Sequence, residues 1–178
     1  MTVFTIGHST RSIDGFLALL QSAQIDAVVD VRRFPLSRRY PQFNAEALSA
    51  TLAGVGILYR HMPALGGRRG KRPDGVSSPH TLWREEAFRN YADYAETPEF
   101  RAAFDALLRL ARERRAAIMC AEAVWWRCHR RIIADYLMAA GIAVEHILGA
   151  GKVEPARLTP GAEIRPDGTV LYGEPTLL

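Results

Sequence analysis

The sequence predicts an α/β fold: a single domain with a mostly parallel five-stranded sheet flanked by helices. Short apolar runs alternate with segments of helical periodicity along most of the chain. Strands separated by helices imply parallel pairing through right-handed crossovers. At 178 residues the chain suits one domain with a real hydrophobic core. The α/β unit is expected over residues 1–150, with Rossmann-like layering. Residues 151–178, rich in glycine and proline, are expected as an irregular tail packing on it, with a short hairpin as the one regular element it could hold.

The elements follow in order. Val3 to Ile6 is a short apolar strand. Ser12 is placed to cap a helix through about Ala23, with Phe16, Leu17, Leu19 and Leu20 on its apolar face. Ala27 to Val31 reads as a buried strand, and the proline-bearing stretch from Arg32 to Phe43 as a polar loop. Asn44 is placed to cap a helix carrying Leu48 and Leu52 and ending near Gly54, before a third strand at Ile57–Tyr59. Pro63 to Pro79 has almost no apolar periodicity, and so long a loop in a compact domain is usually functional. Helices are expected around Leu82–Ala95 and Pro98–Arg112, the second with Thr97 as cap and proline at its first position. Ala116–Cys120 is a fourth strand, followed by a helix that stops at Gly141 and a fifth strand at Ala143–Leu148.

Composition narrows the function. No apolar run approaches the roughly 20 residues needed to cross a bilayer, and the chain opens directly on a strand. A cytoplasmic location with no membrane partner is expected. Two cysteines in such a chain are expected as free thiols. The net charge is +4, but residues 32–72 carry nine Arg or Lys against the single acid Glu46. A basic cluster in loops points to an anionic partner, either a small phosphate-bearing ligand or nucleic acid. No Gly-x-Gly-x-x-Gly follows the first strand and no Walker loop occurs, so no cofactor is expected.

Chemistry-bearing residues collect at strand ends. Gly7, His8 and Ser9 follow the first strand; Asp30, Arg32 and Arg33 end the second; Cys120 and Glu122 follow the fourth, with Cys128 and His129 at the next helix start. Parallel strands would bring these groups to one edge, where open α/β sheets bind ligands. Glu122, His8, His129 and Cys128 are the catalytic candidates. Glu122 suits acid–base work, or a salt bridge to Arg127 or Arg130. His8 suits an acid–base partnership with Glu122, or a capping role. Cys128 lies where a helix start favours a thiolate, or else packs inward; Cys120, inside the strand, reads as buried and inert. Ser9, Asp30, Arg32, Arg38, Arg130 and Trp126 are the substrate-binding candidates, with an Asp30–Arg32 pair as the plainer alternative for those two. Arg68, Arg69, Lys71 and Arg72 make the glycine-rich loop a candidate lid. Six residues separate Cys120 from Arg127, with no glycine and with Glu122 between, which does not fit a cysteine-phosphatase loop. A zinc site from Cys120, Cys128, His129 and His8 or His61 lacks close-paired ligand spacing, so no metal is expected.

Gly7-His8-Ser9, Val29-Asp-Val-Arg32 with Pro35 and Ser37, Leu65-Gly-Gly67, and Met119-Cys-Ala-Glu122 followed by Cys128-His-Arg130 resemble the domain of unknown function 488 (DUF 488) family. The resemblance runs from about Thr5 to Ile147. Many members have a proline after Cys-Ala-Glu, where this chain has Val124-Trp125-Trp126-Arg127, similar to one subgroup. The resemblance implies the fold and the site positions, and no particular reaction.

The leading expectation is an enzyme acting by acid–base chemistry on a phosphate-bearing substrate: a nucleotide, a nucleoside derivative or nucleic acid. The alternatives are a nucleic-acid-binding module without chemistry and a ligand sensor on an enzyme-like fold. Oligomeric state is not legible.

Overall fold

The structure is a computed structural model and describes residues 1–173. Its central sheet has the order β3-β2-β4-β1-β5-β6. β1 (Thr2–Gly7), β2 (Ala27–Asp30), β3 (Leu58–His61), β4 (Ala116–Cys120) and β5 (Ala143–Gly149) are parallel, and β6 (Lys152–Pro155) runs antiparallel to β5 at the edge. The α/β class is as the alternation predicts, with six strands in the sheet rather than five. The sixth comes from the segment expected to be irregular; a turn at Gly151, with φ +66°, folds it back onto β5. A small hairpin, β7 (Glu163–Ile164) with β8 (Val170–Leu171), follows, and Tyr172 after it is fully buried.

Strand parity builds two cores. Phe4, Ile6, Val28, Ala117 and Met119 face α1 (Ile13–Ser22) and α2 (Ala45–Gly54). Val3, Val29, Ile118 and Cys120 face the other way, toward α3 (Glu86–Tyr94), α4 (Pro98–Glu113) and α5 (Arg130–Ala139). A period of two thus sets Cys120 on the α5 side of the sheet.

Ser12 and Thr97 cap as expected, accepting from the N–H groups of Gly15 and Phe100 at 3.0 and 3.3 Å. Asn44 does not cap α2: its Oδ1 accepts from the Ser37 N–H at 2.6 Å and closes the arginine loop instead. The helix expected from Leu82 starts at Glu86, because Trp83 leaves the helical path to stack on Phe88 and pack against Tyr172. β3 begins at Leu58, one residue later than expected.

Candidate functional site

The carboxyl ends of β1, β2 and β4 lie level: Gly7 pairs with Cys120, and Asp30 with Met119. The pairing continues past the strands, with the N–H groups of His8 and Ser9 donating to the Cys120 and Ala121 carbonyls at 2.9 Å each. Ser9 takes φ +49° to make this turn. The approach requires Gly7, since a Cβ there would overlap the Glu122 carbonyl.

A cavity of about 390 Å³ opens at this edge between the loops after β2 and β4, Gly67 and Arg68 of the glycine-rich loop, and the starts of α3 and α5. Cys120, Glu122, Cys128 and His129 line it, with Arg32, Arg33, Arg68 and Arg127, and with Phe34, Phe88 and Tyr91 as aromatic wall. Glu122, Arg33, Arg68 and Arg127 are solvent-exposed.

At its floor, the Cys120 and Cys128 sulfurs are 2.8 Å apart, both as free thiols. His129 donates from Nε2 to the Val31 carbonyl at 2.8 Å, and its Nδ1 faces Cys128 Sγ at 3.5 Å, where it accepts from the thiol or, carrying that proton, donates to the thiolate. The Arg130 N–H, at the start of α5, donates to the same sulfur at 3.4 Å. Burial opposes charge on Cys128, but the Cys120 thiol as donor, His129 and the Arg130 charge together hold the Cys128 thiol well below its usual range. Burial and the neighbouring Cys128 push the Cys120 thiol well up. Both directions make Cys128, rather than Cys120, the sulfur that gives up its proton first.

Arg130 is not on the cavity wall. Its guanidinium is buried behind the sulfurs and donates to Thr5 Oγ1 at 3.1 Å and the Glu122 carbonyl at 2.7 Å. Thr5 in turn donates to His146 Nδ1 at 2.7 Å. Burial and the Arg130 charge lower the His146 pKa to about 4. Trp125 stacks flat on His146, with ring centroids 4.5 Å apart. Of the tryptophan pair, Trp125 thus packs inward, while Trp126 stays 44% exposed and away from the cavity.

Other candidates fall outside the cavity. His8 is buried: Arg32 donates to its Nε2 at 3.3 Å, its Nδ1 donates to the Ser9 carbonyl at 2.9 Å, and its ring stacks on Phe43. Burial lowers its pKa, and it does not line the cavity with Glu122, so the expected partnership is not formed. Asp30 is consumed by a two-pronged pair with Arg32, at 2.9 and 2.7 Å, and by the Tyr59 hydroxyl at 2.5 Å. Arg32 reaches the wall but is held by Asp30 and the Phe43 carbonyl, so it serves as scaffold rather than as a free cation. Ser9 and Arg38 do not line the cavity. Within the lid, Arg69 lies over the Tyr94 ring, Lys71 pairs with Glu86 and Arg72 with Asp74, which leaves Arg68 as the lid cation facing the cavity. Arg33 and Arg127 are not among the expected substrate-binding residues, and Arg68 is expected only as part of the lid.

Two candidate metal arrangements are not preformed. Thiolates on one tetrahedral zinc, at about 2.3 Å from the ion, stand roughly 3.7 Å apart, so the Cys120 and Cys128 sulfurs at 2.8 Å are not spaced for one as they stand. Elsewhere, His80, Asp93 and Glu96 gather ligand atoms within 4.8 Å of one another. The Tyr172 N–H donates to His80 Nδ1 at 3.2 Å, so Nε2 must carry the proton that faces Glu96 at 3.5 Å and Asp93 at 3.8 Å. A cation on Nε2 would leave the ring with no proton at either nitrogen. Burial lowers the His80 pKa, in keeping with a neutral ring.

Fold and site together define an α/β protein with a buried cysteine pair at the carboxyl edge of a parallel sheet. The chain belongs to the DUF488 family: the model for that domain of unknown function matches residues 12–137, which include Cys120, Glu122, Cys128 and Arg130. No curated protein and no solved structure matches the chain.

Proposed function

We propose that this protein is an enzyme acting on a phosphate-bearing substrate of the nucleotide or nucleoside class, with Cys128 as its reactive group. The observation that carries the reading is the Cys128 sulfur, which meets the Cys120 sulfur at 2.8 Å, His129 Nδ1 at 3.5 Å and the Arg130 N–H at 3.4 Å beside a cavity rimmed by Arg33, Arg68 and Arg127. Guanidinium forks match phosphate oxygens, and Phe34, Phe88 and Tyr91 offer faces for a base or sugar. A thiolate paired with a histidine is an activated nucleophile. Glu122, exposed on the same wall, supplies acid–base function in this reading, and His129 takes the place first considered for His8.

Alkylation of Cys128 by iodoacetamide tests it, with phosphate, mononucleotides or short oligonucleotides as competitors. Protection by a mononucleotide, weakened in Arg68→Ala and Arg33→Ala, is the expected result. Alkylation that no anion slows would sink the proposal.

A second reading, a nucleic-acid-binding surface, draws on Phe34 and Leu36. These are 65% and 80% exposed beside the exposed Arg38 and Arg39. Protection by oligonucleotides alone, lost steeply with salt, would favour it.

A further inference from the structure

We propose that Cys120 and Cys128 form a reversible dithiol–disulfide pair, in which a hydroperoxide entering the cavity oxidises Cys128 and Cys120 then closes the disulfide. The inference rests on the reading of Cys128 as a thiolate at the cavity wall, but not on the identity of the substrate.

Geometry carries it. The two sulfurs are 2.8 Å apart, and a disulfide needs about 2.05 Å, so a shift of roughly 0.8 Å closes the bond. Cys120 ends β4 and faces the α5 side by strand parity, while Cys128 lies two residues before α5. Residues 121–127 between them form a loop with a single short turn at Trp125–Arg127, the kind of segment that absorbs such a shift. Both cysteines are lining residues of the cavity, which gives a small oxidant a route toward the pair. Neither is committed to an existing disulfide.

The chemistry balances in two steps. The Cys128 thiolate attacks the terminal oxygen of the hydroperoxide, the O–O bond breaks, and the departing alkoxide or hydroxide takes up a proton. Sulfur is oxidised to sulfenic acid and the peroxide is reduced to an alcohol or water. The Cys120 sulfur then attacks the Cys128 sulfur, the S–O bond breaks, and hydroxide leaves as water with the Cys120 proton. Overall, two thiols lose two hydrogens. A dithiol reductant reverses the bond by exchange.

The same surroundings time the second step. Burial holds the Cys120 thiol protonated, and while Cys128 is a thiolate its charge adds to that. Once Cys128 is a neutral sulfenic acid that opposition disappears, and the Arg130 charge favours ionisation of Cys120. The disulfide removes the reactive group from the cavity and leaves the buried Arg130 without a nearby anion. That loss makes the oxidised form the easier of the two to reverse.

The test uses the full chain, purified reduced, with hydrogen peroxide as oxidant and intact mass, thiol titration and dimedone trapping as readouts. Wild type is expected to lose both titratable thiols and two hydrogens as a monomer, and to regain them with dithiothreitol. Cys120→Ser is expected to stop at a dimedone-trappable sulfenic acid on Cys128. In Cys128→Ser, the Cys120 thiol should survive at least about tenfold longer. Oxygen accumulating on Cys128 of wild type without a disulfide, or disulfides only between molecules, would overturn the pair. Iodoacetamide separates the two readings. Alkylation of Cys128 at neutral pH with no disulfide under peroxide retains the nucleophile and discards the switch, whereas no alkylation of the folded protein discards both. Wild type alone decides the matter if a serine variant fails to fold.

Discussion

Arg130 and Cys128 are buried against one another where α5 begins. The Arg130 guanidinium is buried, and none of the ion pairs among the described residues involves it. Its backbone N–H meets the Cys128 sulfur at 3.4 Å, and the two cysteine sulfurs favour its charged form. A buried cation without a carboxylate needs another anion, and the thiolate provides one.

Cys128→Ser should therefore cost stability as well as reactivity. The hydroxyl stays neutral and leaves the guanidinium uncompensated, at a cost on the order of 3 kcal/mol. Urea denaturation at pH 7 measures it. A cost near zero would show that Arg130 does not need the sulfur's charge.

Cys120→Ala removes the donor at 2.8 Å from the thiolate. The inflection in the alkylation rate of Cys128 should move up by on the order of one pH unit. The pH profile of iodoacetamide labelling reads this directly, and an unmoved inflection would refute the donor role.

Gly7→Ala forces the Glu122 carbonyl away from β1. Backbone cannot yield as a flexible side chain does, so a loss of about 2 to 4 kcal/mol is expected. Since the Glu122 carbonyl also receives Arg130, Cys128 labelling should slow in the same variant. Calorimetry and labelling together check it.

His146 sets a pH dependence. Its folded pKa of about 4 lies below the usual histidine value of 6.5. Above pH 6.5 both states are neutral there and its contribution is complete. As pH falls toward 4 the unfolded chain takes up a proton that the folded one refuses, and stability declines by on the order of 2 kcal/mol. His8 and His80, also lowered, add in the same direction. Urea midpoints between pH 7 and 4 should fall less steeply in His146→Gln than in wild type.

Asp30→Asn breaks the pair that fixes Arg32. Asp30 and Arg32 are both buried, so the variant should lose about 3 kcal/mol or more. Thermal melts measure this, and a change within error would mean that Arg32 finds another anion.

Local sequence determined the elements and the edge on which the chemistry gathers. Apolar runs set the parallel strands, Ser12 and Thr97 act through neighbours three residues away, and Gly141 ends α5 at φ +81°. Cys128 and His129 were legible as site residues because a helix start after a buried strand is a local pattern. Asn44 has the local pattern of a helix cap, but its side chain accepts from Ser37 instead, a partner that the fold of the preceding loop supplies. Only the tertiary structure decided which strand-end groups face the cavity. His8 and Asp30 share the edge with Cys128, yet Arg32 engages both behind the wall. Cys120, which reads from sequence as an inert core residue, meets Cys128 because β4 and the start of α5 converge there. The closeness of two sulfurs eight residues apart depends on the path of the loop between them, and that path is set by Gly7 and Arg130, which lie far from each other in the chain.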